Sequence, residues 1–161
     1  LGNVYYVYAH GGLDSVWTDP AQAVLQADSR TGVVLNRAQQ YVWERGNIKT
    51  QLTLNTEDVP EVIRSGSWDK GKLQEGLGDS GTVIDLTGCS LENVLYEISA
   101  QRAVIAKTGA DTSVVIVGYD AYNTWLLDPA TGEVSPYGMN DSTALFQQAG
   151  NVFISYLDNQ K

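Results

Sequence analysis

Of the side chains most used for nucleophilic catalysis, the chain holds one thiol and one imidazole, Cys89 and His10. Attack of a cysteine on a carbonyl needs a thiolate, an imidazole that takes and returns the proton, and an Asp or Asn that fixes the imidazole's tautomer. Cys89 stands in "TGCSLENV", at the start of a helical pattern, where the helix dipole and free N–H groups favour a thiolate. The same residues also read as plain capping, with Ser90 or Thr87 as the cap, Glu92 in the first turn and Cys89 as a small buried apolar residue. His10 precedes Gly11 and Gly12 in a turn between two strand-like runs, where a polar side chain is ordinary. Nothing in the spacing brings it to Cys89.

Other constellations carry less. Asp120, Asp128 and Glu133 have the side chains of a glycoside hydrolase, but each sits in or beside a turn, where a carboxylate accepts backbone N–H groups. Asp69, Glu75 and Asp79 lack the alternate-residue spacing of a calcium loop, so a solvated loop is expected there. A single cysteine excludes an intrachain disulfide and a multi-thiolate metal site. A zinc site would need several carboxylates to converge on the one His and the one Cys. The glycines form no phosphate-binding pattern, and no cofactor is expected.

Ten basic against nineteen acidic residues give a formal net charge of -9, so the chain lacks the positive footprint that nucleic acid requires. No apolar run approaches the ~18 residues of a membrane span. The opening "LGNVYYVYAHGG" lacks the basic flank and apolar core of a signal peptide, and without Met it reads as a piece of something longer.

These residues must be positioned by elements that the periodicity predicts. Residues 1–57 read as a small β-β-α-β-β unit, with strands at 4–9, 14–17, 33–35 and 41–43. Its helix over "TDPAQAVLQAD" is capped by Thr18 or Asp19, with Pro20 at its first turn. Residues 58–81 read as an irregular linking segment, with a short helix near 60–63 and loop over 65–81. Residues 82–161 give strand "TVIDL", then a helix whose Leu91, Val94, Leu95 and Ile98 form a core-facing stripe. Strands "RAVIAK", "SVVIVGYD" and "NTWLLD" follow, then a Pro and Gly turn, a short helix "NDSTALFQQAG" and a closing strand "NVFISYL". Hairpin-joined strands with interspersed helices argue an α+β fold with a mainly antiparallel sheet.

The stretch "SLENVLYEISAQRAVIAKTGADTSVVIVGYDAYNTWLLDPATGE", residues 90–133, is similar to the C-terminal half of the C39-like, papain-fold cysteine peptidases. The match runs over 103–105, 114–120 and 126–132. It implies a papain-like sheet with an active-site groove beside these strands, and it puts Asp128 at the family's orienting Asp. The family's histidine falls six residues before Gly118, where this chain has Thr112, and its upstream nucleophile falls in residues 1–80, which hold no cysteine. A threonine hydroxyl cannot act as the general base.

The resemblance therefore implies a C39-like domain without catalysis, a pseudoenzyme, in a larger bacterial surface or secreted protein. Such a domain would bind a peptide or protein partner in the inherited groove, or act as a structural unit. The groove would be lined by Cys89, Thr112 and Asp128, with Tyr119 or Trp125 nearby, and Thr112 and Asp128 would lie close together with no thiolate between them. The alternative is an active cysteine peptidase or acyltransferase using Cys89, with His10 or a base from elsewhere. A third reading gives function to the N-terminal unit, whose Tyr5, Tyr6, Tyr8, Trp17, Tyr41 and Trp43 would stack on sugars instead of packing a core.

Overall fold

Tyr5–Ala9 (β1) turns Tyr5 and Val7 inward, so that face of the strand must be covered. Strand β2, Gly12–Trp17, returns beside it, and the cover is α1, Pro20–Arg30, which buries Ala21, Ala23, Val24 and Ala27. The Asp19 carboxylate starts this helix by accepting the Ala21 N–H at 2.9 Å, with Pro20 at its first position. Strands β3, Val33–Asn36, and β4, Tyr41–Glu44, complete an antiparallel sheet in the order β2-β1-β3-β4. The buried Trp43 ties it to the rest of the chain, donating Nε1–H to the Asn93 carbonyl at 2.9 Å. The structure is a computed structural model and describes residues 3–45 and 48–159.

The second sheet begins with β5, Leu52–Thr53, and continues beyond helices α2, Glu61–Arg64, and α3, Lys70–Leu77. Its strands β6, Gly81–Asp85, β7, Val104–Lys107, β8, Ser113–Tyr119, β9, Asn123–Leu127, β10, Val134–Gly138, and β11, Phe153–Asp158, lie in the order β10-β9-β8-β7-β11-β6, and β5 pairs with β8. Among the described residues every pairing is antiparallel, and with five α-helices the fold is α+β.

Both faces of this sheet are covered. Helix α4, Leu91–Ser99, and α5, Met139–Gln148, bring Leu91, Val94, Ile98 and Phe146 to the cluster that holds Val104, Ile116 and Phe153. On the other side Ile63 of α2 and Leu73 and Leu77 of α3 meet Ile105, Val115, Val117 and Ile154. Burial on both faces explains why β8 reads as the unbroken apolar run "VVIV".

Two expectations are corrected. Residues 65–81 are not mostly loop, because α3 spans Lys70–Leu77, with Asp69 accepting the Lys72 N–H as its cap and Leu73 and Leu77 buried one turn apart. Gly76 is where α3 meets α2: a Cβ there would lie 2.5 Å from Val62 Cγ2. The turn expected after β9 is followed by strand β10, and its Pro136 is tolerated because the strand lies at the sheet edge.

Candidate functional site

Thr112 and Asp128 lie at the same end of the sheet, since β8 and β9 pair Val115 with Leu127. Both are exposed turn residues. Thr112 closes the β7–β8 hairpin: its carbonyl accepts the Thr108 N–H at 2.9 Å and its hydroxyl accepts the Thr108 hydroxyl at 2.8 Å. Asp128 Oδ1 accepts the Ala130 N–H at 2.9 Å, and its carbonyl accepts the N–H groups of Thr131 and Gly132. No hydrogen bond joins the two among the described residues. Their neighbours are covered by the turn after α2, where Ser113 Oγ donates to the Gly66 carbonyl at 2.6 Å and a Cβ on Gly66 would fall 2.5 Å from Pro129 Cγ.

Cys89 is elsewhere. Its Sγ is fully buried under α1, 3.8 Å from the Ala21 carbonyl. Burial, and after it the negative field of Glu97, Asp19, Asp85 and Asp28, pushes the thiol up to about 12. The helix N-terminus does little to offset this, because α4 begins beyond Cys89 with a capping box: Ser90 Oγ accepts the Asn93 N–H at 3.2 Å and Asn93 Oδ1 accepts the Ser90 N–H at 3.1 Å. His10 is exposed at the tip of the β1–β2 hairpin with φ +54°. The structure does not bring the imidazole to the thiol, and no hydrogen bond links them among the described residues.

The remaining candidates are similarly placed by local structure. Asp120 Oδ1 accepts the N–H groups of Tyr122 and Asn123, both at 2.8 Å. Among the described residues no three His, Cys, Asp or Glu side chains converge as a metal ion would require, and no helix is long and apolar enough to cross a membrane. Of the N-terminal aromatics, Tyr5 and Trp43 are core residues, Trp17 is half-buried with Nε1–H on Ser15 Oγ at 2.7 Å, and Tyr8 and Tyr41 are exposed. Tyr119 and Trp125 do not flank Thr112: they line a recess with Thr53 at the far end of β8, because the strand carries Tyr119 away from the hairpin.

At that far end lies a cleft of about 780 Å³ that sequence reasoning missed. It opens because β8 changes partner along its length, pairing with β7 over Ser113–Ile116 and with β5 at Gly118 and Tyr119. Gly118 permits the close approach, since a Cβ there would meet the Leu52 carbonyl oxygen at 2.9 Å. The walls include Tyr41, Leu54, Asp58, Tyr96, Arg102 and Tyr156. The cleft is roughly 17 Å along β7 from the Thr112 hairpin, at ~3.3 Å per residue.

Arg102 is held there by a wholly buried acid. Glu97 Oε1 accepts from Arg102 Nη2 at 2.7 Å and Nε at 3.0 Å, while Nη2 also reaches the Tyr41 carbonyl at 3.2 Å. Glu97 Oε2 is buried and has no partner among the described residues. Burial pushes the Glu97 carboxyl up against the lowering pull of Arg102. The sequence signal was a glutamate beside Ile98 in the core stripe of α4, where an acid is rarely buried unless paired.

No protein-family model matches the sequence, and no curated protein matches it. A crystal structure from Bacillus anthracis, assigned as a C39-like peptidase, is similar over 55% of this chain and 56% of its own, at 20% identity and a TM-score of 0.48. The chain thus spans little more than half the length of that protein.

Proposed function

We propose that this chain is a C39-like, papain-fold domain that does not cut peptide bonds and instead binds a peptide or protein partner within a larger bacterial surface or secreted protein. The resemblance of residues 90–133 supplies the family. The observation that carries the loss of catalysis is the state of Cys89: a nucleophile must meet both its substrate and a base, and this thiol is sealed under α1, with a raised pKa and no imidazole beside it. Thr112 and Asp128 serve the two hairpin turns. Binding is favoured over a purely structural role by the cleft between β5 and β11, whose volume lies within the range of ligand sites.

Iodoacetamide labelling of the native protein, followed by mass spectrometry over a pH series, tests this reading. Cys89 is expected to react only as fast as the protein unfolds, with denaturant bringing full labelling. Rapid, pH-dependent modification of the folded protein, or hydrolysis of a mixed fluorogenic peptide set that is lost in Cys89→Ala, would establish the thiol enzyme instead.

A further inference from the structure

We propose that the cleft between β5 and β11 takes an extended segment of a partner polypeptide as an added strand, with a basic side chain of that segment set toward Asp58. This rests on the binding role proposed above and names the chemistry of what is bound.

The observation is a pair of strand edges facing one cleft. β11 pairs with β7 only at Phe153 and Ile154, but with β6 from Ile154 to Asp158. Beyond Ile154, Tyr156 and Leu157 therefore have β6 on one side and, among the described residues, no strand on the other. The direction of the backbone groups follows from two bonds: the Phe153 carbonyl accepts from Leu86 and the Asn159 N–H donates to Ser80, so the odd-numbered residues bond toward β6. In an antiparallel ladder the alternate residues turn the other way, which sets the N–H and C=O of Tyr156 on the β7 side, opposite Ala103 and past the end of β7, beside the cleft that Tyr156 lines. The Asp158 carbonyl, in the same phase, points away from β6 and accepts Gln40 Nε2 at 2.8 Å.

The facing edge obeys the same alternation. The Leu54 N–H donates to the Val117 carbonyl at 2.7 Å, so Leu54 and Leu52 bond toward β8 and the N–H and C=O of Thr53 turn outward. Thr53 and Tyr156 both line the cleft. β5 and β11 run in opposite directions, since β5 and β7 are both antiparallel to β8 and β11 is antiparallel to β7. An inserted segment would be antiparallel to one edge and parallel to the other, and the two residues of β5 give it roughly 7 Å of pairing on that side.

The walls set what the segment carries. Tyr41, Val59, Leu77 and Tyr96 offer apolar surface for the alternate side chains of a strand. Among the described residues Arg102 is the one cation lining the cleft, and Glu97 already takes its charge, whereas Asp58 is exposed. With a net charge of -9 on the whole chain, the field in the cleft favours a Lys or Arg on the ligand.

The test is selection of phage-displayed random dodecamers on the immobilised chain, followed by nitrogen-15 NMR titration with the enriched peptide made synthetically. We expect sequences alternating apolar residues with at least one Lys or Arg, and amide shifts and slowed exchange concentrated at Thr53 and Tyr156. N-methylating alternate amides of the peptide should weaken binding by about tenfold or more. Asp58→Lys, a surface change, should weaken it by about fivefold. Shifts confined to Ser113, Asp128 and Pro129, or equal binding of the N-methylated peptide, would overturn the strand-insertion proposal and leave the binding role standing. Failure to enrich any peptide would overturn both, and recovery of cleaved peptide would overturn the non-catalytic role itself.

Discussion

The Glu97 carboxyl takes two hydrogen bonds from Arg102 on a single oxygen, Nη2 at 2.7 Å and Nε at 3.0 Å, and buries the other oxygen with no partner among the described residues. Arg102 in turn links α4 to the small sheet through the carbonyls of Tyr41 and Val42. One ion pair therefore joins the packing of the two sheets to a wall of the cleft.

Removing the cation should be costly. Arg102→Met leaves a buried acid without compensation, and the loss is expected to be about 3–5 kcal/mol in urea unfolding at neutral pH. The cost should shrink in acid, where Glu97 takes up a proton and no longer needs the guanidinium.

The wild-type pH dependence follows from the direction of the Glu97 shift. Its folded-state pKa lies above the ordinary 4.5, so between that value and the raised one the folded chain holds a proton that the unfolded chain has released. Stability from this group is full below 4.5 and declines as pH rises through the raised pKa. Thermal melts from about pH 4.5 upward should show this decline, and Glu97→Gln should remove its part of the slope. A slope unchanged in Glu97→Gln would mean that the carboxyl is ionised throughout.

Gly66 and Gly132 make a matched pair of backbone tests. Both have positive φ, +73° and +76°, but a Cβ on Gly132 meets open space while one on Gly66 strikes Pro129 and Ser113. Gly132→Ala should cost about 1–2 kcal/mol, the left-handed strain alone. Gly66→Ala should cost about 2–5 kcal/mol, the strain plus the overpacking. Equal losses in denaturant titration would mean that the turn after α2 does not press on the hairpin ends.

How much could be read beforehand depended on whether a residue's role was local. The α4 stripe and β8 were legible because burial leaves a period in the sequence, as Leu91, Val94 and Ile98 show. Helix α3 was not: only Leu73 and Leu77 of its eight residues are buried, and Gly76 serves a contact with Val62 that no local pattern encodes. The cleft was hidden for the same reason, since its making depends on a two-residue strand, β5, and on Gly118 being close to a residue more than sixty positions away. The turn roles of Asp120 and Asp128 were legible because the bonds their carboxylates make reach only two or three residues along the chain.

Gly118→Ala should act on the cleft directly. Its Cβ would crowd the Leu52 carbonyl at 2.9 Å and Thr53 Oγ1 at 3.0 Å, forcing β5 away from β8. A loss of about 1–3 kcal/mol is expected, together with loss of the peptide binding proposed above, while the Thr112 hairpin is untouched. Retained binding in a destabilised variant would mean that the β5 edge is not part of the site.

Thr112→His restores an imidazole where the family resemblance implies a base. The position is an exposed hairpin end, so the new side chain should titrate near the unperturbed ~6.5. Its only covalent neighbourhood is the turn, and the loss of the Thr108–Thr112 hydroxyl bond should cost no more than about 1 kcal/mol. Asp128 stays committed to the Ala130 N–H, and Cys89 stays beneath α1 with its thiol near 12. Adding the base therefore adds no nucleophile: the variant should hydrolyse a mixed fluorogenic peptide set no faster than the parent, and its Cys89 should still label only on unfolding. Turnover above that background, abolished by a further Cys89→Ala change, would show that thiol and hairpin can meet and would overturn the non-catalytic role proposed above.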